Sequence, residues 1–260
     1  MKRLFQVILV SCCLSGSSTY GQTDSLFATN VEQVFVDPVG QLILLQEGSR
    51  LTRLDVATDS TYFFYNNLLG QISDVDVSDP FGPLLFFRDF QIILFFDRTL
   101  SERGRLDLRE IEEVQQAELF CRSFDDKIWV YDEWDYRIKL VNEQGRIIEQ
   151  TDDLQRALRI SATPNFIKAK GNYLFAHYPE RGLAVFSSFG QFLRWETLPQ
   201  GDHLQWTNDG LYIWNNKTCW RWNGHKSEVV DLPMGALQGE GLNKWQGRWM
   251  VRKGNELYSK

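Results

Sequence analysis

The chain has 260 residues, 43% of them hydrophobic, 14% aromatic and 24% charged, with a formal net charge of −6. That size fits one large domain or two small ones, and the balance excludes a disordered or fibrous chain. The acidic surplus argues against general nucleic-acid binding, and four Cys are too few for a disulfide framework of this size.

Lys2 and Arg3 precede an apolar run, Leu4 to Leu14, broken by Gln6 and Ser11. The run is well short of the roughly twenty residues that cross a bilayer as a helix, but it matches the core of a secretory signal. We expect residues 1–21 to form a signal peptide cleaved after Gly21, with 22–260 as the exported domain. Leu9-Val10-Ser11-Cys12 offers a second reading, a lipobox in which Cys12 carries a lipid anchor. No later apolar run is long enough to span a membrane. The expected location is therefore the periplasm, the outer membrane or the medium.

Past this segment, short apolar runs dominate and helical periodicity is scarce. Leu42–Leu45, Leu84–Phe87, Ile128–Tyr131, Tyr173–Ala176, Leu211–Trp214 and Trp249–Val251 are the strongest of these runs. They recur about forty residues apart, the period of a propeller or solenoid. Before each lies a turn rich in Gly, Asn or Asp, such as Asp37-Pro38-Val39-Gly40 and Asp79-Pro80-Phe81-Gly82. After each come a second turn and a third strand, then in most repeats a fourth, as at Thr61–Tyr65 and Ile147–Gln150. That is a four-stranded meander, the unit of a propeller blade. The sixth repeat has three strands, and Ser25–Thr29 is a spare strand-like piece ahead of the first. The prediction is an all-β, six-bladed β-propeller closed by the N-terminal strand joining the last blade.

The repeat resembles the six-bladed propellers of the NHL-repeat type. Asp37, Gly40, Leu42–Leu45 and Asp55 carry the resemblance in the first blade, and Asp126, Ile128–Tyr131, Asn142 and Gly145 in the third. Later blades depart from it, with third strands ending at Ser187 and Gly224. The resemblance implies architecture and leaves activity open. Two segments, Leu106–Gln116 and Asp152–Arg159, read as short helical insertions, the second capped by Thr151. Cys121 and Cys219 fall at unlike strand positions and are expected as buried thiols, not a bridge.

Propeller geometry puts the loops from second to third strands, and the links between blades, on one face, here called the top. Phe90, Trp134, Tyr136, Arg137, Tyr178 and Arg181 fall on its loop tips. Trp, Tyr and Arg favour protein contacts, so these residues form the candidate docking surface. The competing reading folds the rings back over their own blades. A catalytic or metal site needs clustered His and carboxylates, and the best set is His177, His203, Asp74 and Glu240, whose spacing matches no signature. Asp74, Asp76 and Asp79 read as strand-edge acids, not as a calcium loop. Most of the nine Trp lie late in the chain; Trp220 and Trp222 share a strand face and suit either sugar stacking or blade packing. Asn216-Lys217-Thr218 is a glycosylation sequon. No cofactor or metal is expected. The leading expectation is a non-catalytic protein- or peptide-binding scaffold of the cell envelope. The alternatives are a secreted lyase or hydrolase with a site at the channel mouth, and a carbohydrate-binding propeller.

Overall fold

The computed structural model describes residues 24–260, apart from positions 48 and 124. The expected signal peptide and Cys12 lie outside the described residues. Strand β1 (Ser25–Thr29) leads the chain. Blade 1 is β2 (Val31–Val36), β3 (Leu42–Gln46), β4 (Arg50–Asp55) and β5 (Ser60–Tyr65). Blade 2 is β6 (Asp74–Asp76), β7 (Leu84–Phe87), β8 (Ile92–Phe96) and β9 (Glu102–Asp107). Blade 3 is β10 (Ala117–Arg122), β11 (Ile128–Asp132), β12 (Arg137–Val141) and β13 (Ile147–Gln150). A short helix, α1 (Leu154–Leu158), leads to blade 4: β14 (Phe166–Lys170), β15 (Tyr173–Tyr178), β16 (Gly182–Ser187) and β17 (Phe192–Glu196). Blade 5 is β18 (His203–Thr207), β19 (Gly210–Trp214), β20 (Cys219–Trp222) and β21 (Ser227–Val230). Blade 6 is β22 (Gly241–Trp245), β23 (Arg248–Lys253) and β24 (Glu256–Ser259), completed by β1. The protein is a six-bladed β-propeller of four-stranded antiparallel blades.

The second strands are buried on both faces, which is why they read as unbroken apolar runs: Leu42–Leu45, Leu84–Phe87 and all of β11 are buried. Outer strands alternate; β5 turns Tyr62 and Phe64 inward and leaves Phe63 and Tyr65 exposed. Six apolar clusters hold the ring, one at each junction between neighbouring blades. Trp195, Trp206, Trp214, Trp222, Trp245 and Trp249 belong to these junctions, so packing between blades accounts for most of the late tryptophans. Among the described residues Cys121 and Cys219 are buried free thiols.

A shared turn device links the third and fourth strands. Asp97, Asn142 and Ser187 each accept two backbone N–H groups from the turn that follows. Asn223 does the same in blade 5. The departures at Ser187 and beside Gly224 thus keep the same hydrogen bonds with other side chains. Gly190, at φ +76, completes the blade 4 turn; a Cβ there would come within 3.0 Å of the Gln150 backbone.

The helical reading of Leu106–Gln116 is corrected. Leu106 and Asp107 pair with Ile93 and Ile92 in β9, the outer strand of blade 2, and only Leu108–Glu110 forms a 3-10 turn. The cross-strand ladder satisfies these backbone groups and buries Leu106 and Leu108, which a solvated helix would not. The second helix forms, but its cap is Asp153, which accepts from the Arg156 N–H at 3.1 Å. Thr151 instead accepts from the Ile138 N–H at 3.0 Å, tying α1 to blade 3.

Closure is as the repeat count requires: Ser25 pairs with Ser259, Leu26 with Tyr258 and Thr29 with Glu256. Leu257 is fully buried against Val31 and Leu42, whereas Leu26 is 54% exposed. Leu257→Ala is therefore expected to cost about 2–5 kcal/mol by urea denaturation, and Leu26→Ala less than about 0.5 kcal/mol. Equal costs would mean that the closing ladder does not hold the ring.

Candidate functional site

The inner strands β2, β6, β10, β14, β18 and β22 surround an axial channel with a cavity volume of about 1100 Å³. Apolar residues of these strands serve the blade junctions, and polar ones reach the axis. Several polar contacts skip a blade. The Lys168 ammonium of blade 4 donates to Asp76 Oδ2 of blade 2 at 2.8 Å. Gln205 of blade 5 donates to the Val34 carbonyl of blade 1 at 3.1 Å and accepts from the Leu242 N–H of blade 6 at 2.9 Å. Asn243 donates to the same Val34 carbonyl at 2.7 Å. Asn208 donates to the Val36 and Asp37 carbonyls at 3.0 and 2.7 Å.

Asp76 is the best-satisfied charge in the channel. Beyond Lys168 it accepts from the Ser78 N–H at 2.8 Å, the Ser78 hydroxyl and the Arg122 N–H at 3.2 Å. Burial opposes its ionisation, but the Lys168 charge and these hydrogen bonds outweigh that and hold it at about 2. Asp74 lies two residues away on the same strand face. Among the described residues its one hydrogen bond is from the Val75 N–H at 2.7 Å. Burial, then the neighbouring Asp76 charge, push it up to about 7. One strand therefore presents an anion locked to a cation and a carboxyl that titrates near neutrality. The Cys121 thiol adjoins them and is raised by burial and by Asp76, so it is no nucleophile at rest. Asp74 and Asp76 do lie on an edge strand, β6, and that edge faces the channel. Asp76, Lys168, Gln205 and Asn243 were missed as a group, although the alternation in Asp74-Val75-Asp76 and Lys168-Ala169-Lys170 is visible in the sequence.

The four residues of the suggested catalytic set are divided between the channel lining and the blades. Asp74 and Glu240 line the channel, and Glu240 accepts from Arg252 at 2.9 Å. His177 and His203 lie outside the lining. His177 shares a 2.6 Å hydrogen bond with Asn165, stacks on Phe166 at 5.2 Å, and is pushed down to about 4 by burial. His203 stacks on Trp214 at 5.3 Å. Each imidazole is held at the end of its strand by an aromatic neighbour. Among the described residues no group of three or more His, Cys, Asp or Glu is placed to hold a metal ion.

The loop-tip residues divide. Trp134 is 66% exposed and Phe90 38%. The Trp134 loop is rigid at its base, since Asp132 accepts from the N–H groups of Gln115, Gln116 and Trp134 and from Lys139 at 2.7 Å. Tyr136 takes a left-handed φ of 56° in the same loop. Arg137 turns back to donate to the Thr151 carbonyl at 2.9 Å. Arg181 lies over the Trp195 ring at 5.0 Å. Tyr178 does not reach the surface: its ring is 1% exposed and packs edge-on to Trp195 at 5.6 Å. In β15 the alternation sends it into the junction of blades 3 and 4. Asn216 is exposed in the loop between β19 and β20.

Two outcomes follow from the channel charges. Lys168→Met should lower stability by about 3–5 kcal/mol, because it strands the buried Asp76 anion, and adding Asp76→Asn should restore most of the loss in chemical denaturation. Asp74, raised from 3.8 to about 7, favours folding most at low pH, and that contribution is lost as pH climbs towards 7. Asp74→Asn should thus melt higher than the parent above neutral pH, with the difference vanishing in acid. A pH-independent difference would contradict the assignment.

No protein-family model matches the chain, and no curated protein matches it. Solved structures do. A streptogramin B lyase structure superposes with a TM-score of 0.58 at 10% identity, covering 91% of this chain and 96% of that one. Virginiamycin B lyase from Staphylococcus aureus, in a catalytically inactive form with quinupristin, gives 0.58 at 10% identity over 91% and 87%. The Pan2 WD40 domain of Neurospora crassa gives 0.52 at 10% identity over 89% and 88%. At such identity these similarities establish a shared propeller fold and stop there.

Proposed function

We propose that this chain is an exported, non-catalytic binding module of the cell envelope, with NHL-like repeats, that offers top-face loops to a protein or peptide partner. Residues 1–21 serve as its export signal, or Cys12 as its lipid attachment point, and 22–260 form the binding domain. The observation that carries the reading is Trp134: a large indole, 66% exposed, on a loop whose base is pinned by Asp132. An exposed aromatic on a rigid support loses little entropy on docking and makes a good anchor. Phe90 adds a second exposed ring, on the corresponding loop of the preceding blade, and Tyr136, Arg137 and Arg181 supply polar groups around it. Tyr178 supports these loops from within.

Structures of similar fold include lyases and a WD40 domain, so the fold favours neither catalysis nor scaffolding. The catalytic alternative lacks its histidines at the channel lining, and the sugar-binding alternative has most late tryptophans taken up in blade junctions. The test is a photo-crosslinking residue at position 134 in cells that make the protein, with one at position 229, exposed on an outer edge, as control. A discrete adduct at 134 and none at 229 is expected. Trp134→Ala should weaken the isolated complex by about 2 kcal/mol, or roughly thirtyfold. Identical adducts at both positions would overturn the reading.

A further inference from the structure

A sheet edge invites a further strand unless something blocks it, and native proteins block edges with charge, bulges or shortness. Each blade of the ring has one outer edge. The outer strands β1, β9, β13 and β17 are each broken by a bulge, at Phe27, Arg103, Ile148 and Leu193. Strand β21 is four residues long and carries Glu228, which Lys226 holds at 2.7 Å. Strand β5 has none of these devices. It runs six residues, pairs with β4 from Ser60 to Tyr65 without a shift, and residues 60–73 carry no charge. Phe63 and Tyr65 stand out from it at 64% and 62% exposure. The sheet ends at β5, so the backbone N–H and C=O groups of its outer side have no strand partner among the described residues. Charge flanks this edge at both ends. Arg50, opposite Tyr65 on β4, leans over the Phe63 ring at 5.4 Å. Asp59 lies in the turn just before Ser60. Both are exposed, and among the described residues neither makes an ion pair.

We propose that β5 is a self-association edge, through which two copies of this chain pair antiparallel about a twofold axis at Phe63. Opposed residues of an antiparallel pair share a face, so the axis passes through a residue and not between two. A register centred on Phe63 sets the exposed Phe63 against its copy and Tyr65 against Thr61 of the other chain. On the opposite face it sets Tyr62 against Phe64, which extends the apolar junction of blades 1 and 2. Charge selects the occupant. The chain is acidic overall, so two copies repel across most of their surfaces. Along β5 there is no charge to repel, and antiparallel pairing brings the Arg50 end of each copy to the Asp59 end of the other. A twofold axis therefore supplies both complements from one sequence. The edge lies on blade 1, away from the Trp134 loop of blade 3, and does not rest on the scaffold reading.

The experiment is sedimentation velocity of the purified protein at low salt, from micromolar to submillimolar concentration. We expect a monomer–dimer equilibrium. Phe63→Lys opposes two cations at the axis and should weaken it at least about tenfold. Arg50→Asp should weaken it at least about tenfold as well, by facing Asp59 of the other copy, and Arg50→Asp with Asp59→Arg should return it to within about threefold of the parent. All three positions are exposed, so each variant should melt like the parent. Trp134→Ala should dimerise like the parent, which separates this edge from the loop surface. A monomeric parent, unchanged dimerisation of Phe63→Lys, or a double variant no better than Arg50→Asp would each overturn the proposal. A second readout checks the register. Facing Cα atoms of an antiparallel pair lie about 4.5–5.5 Å apart, within disulfide range. Phe63→Cys should thus form a covalent dimer under mild oxidation, while Val229→Cys, exposed on the outer edge of blade 5, should not. Equal cross-linking at the two positions would count equally against it.

Discussion

Each blade is a small sheet with two faces to cover, and a ring of blades is the arrangement in which each sheet covers its neighbour. The strand pairing of β1 with β24 makes that ring continuous. It buries Leu257 and Val31 at the junction of blades 6 and 1 and removes two exposed sheet edges there. The apolar core is accordingly divided into six wedges between blades, with none at the centre. This explains the aromatic richness of the chain, because large flat side chains fill wedges that widen outward.

A ring without a central core leaves polar inner strands facing one another across a channel. Their side chains must satisfy each other, since water alone does not compensate groups as buried as Asp76 or Asn243. The result is a set of stitches from blade to blade: Lys168 to Asp76, Gln205 to Val34 and Leu242, and Asn208 to blade 1. These contacts hold the inner strands at fixed spacing, and the loops built on them inherit that rigidity. A tip such as Trp134 is therefore presented on a firm base, and Asp74 is held under the influence of the Lys168 and Arg88 charges.

Much of the architecture was legible. Apolar runs at a constant period, turns rich in Asp, Asn and Gly, and a spare strand at the start led to six blades and their closure, because these depend on local backbone chemistry and on counting. Leu106–Gln116 misled because its charged residues suit a solvated helix, while its pairing partners, Ile92 and Ile93, lie on the preceding strand. Tyr178 was placed on a loop tip by its position in the repeat, yet strand alternation carried it one residue further into a blade junction. Ser187 and Asn223 looked like departures because the pattern was read by residue type, when the turn requires only a short side-chain acceptor.

By itself, then, the sequence determined the elements: which segments form strands, where they turn, how many blades exist and which strand closes them. These are properties of neighbours along the chain. Tertiary structure decided the channel. Lys168 and Asp76 are 92 residues apart, Gln205 and Val34 171 apart, and no local signal couples them. Only closing the ring sets their separation, and with it which charges of the channel meet.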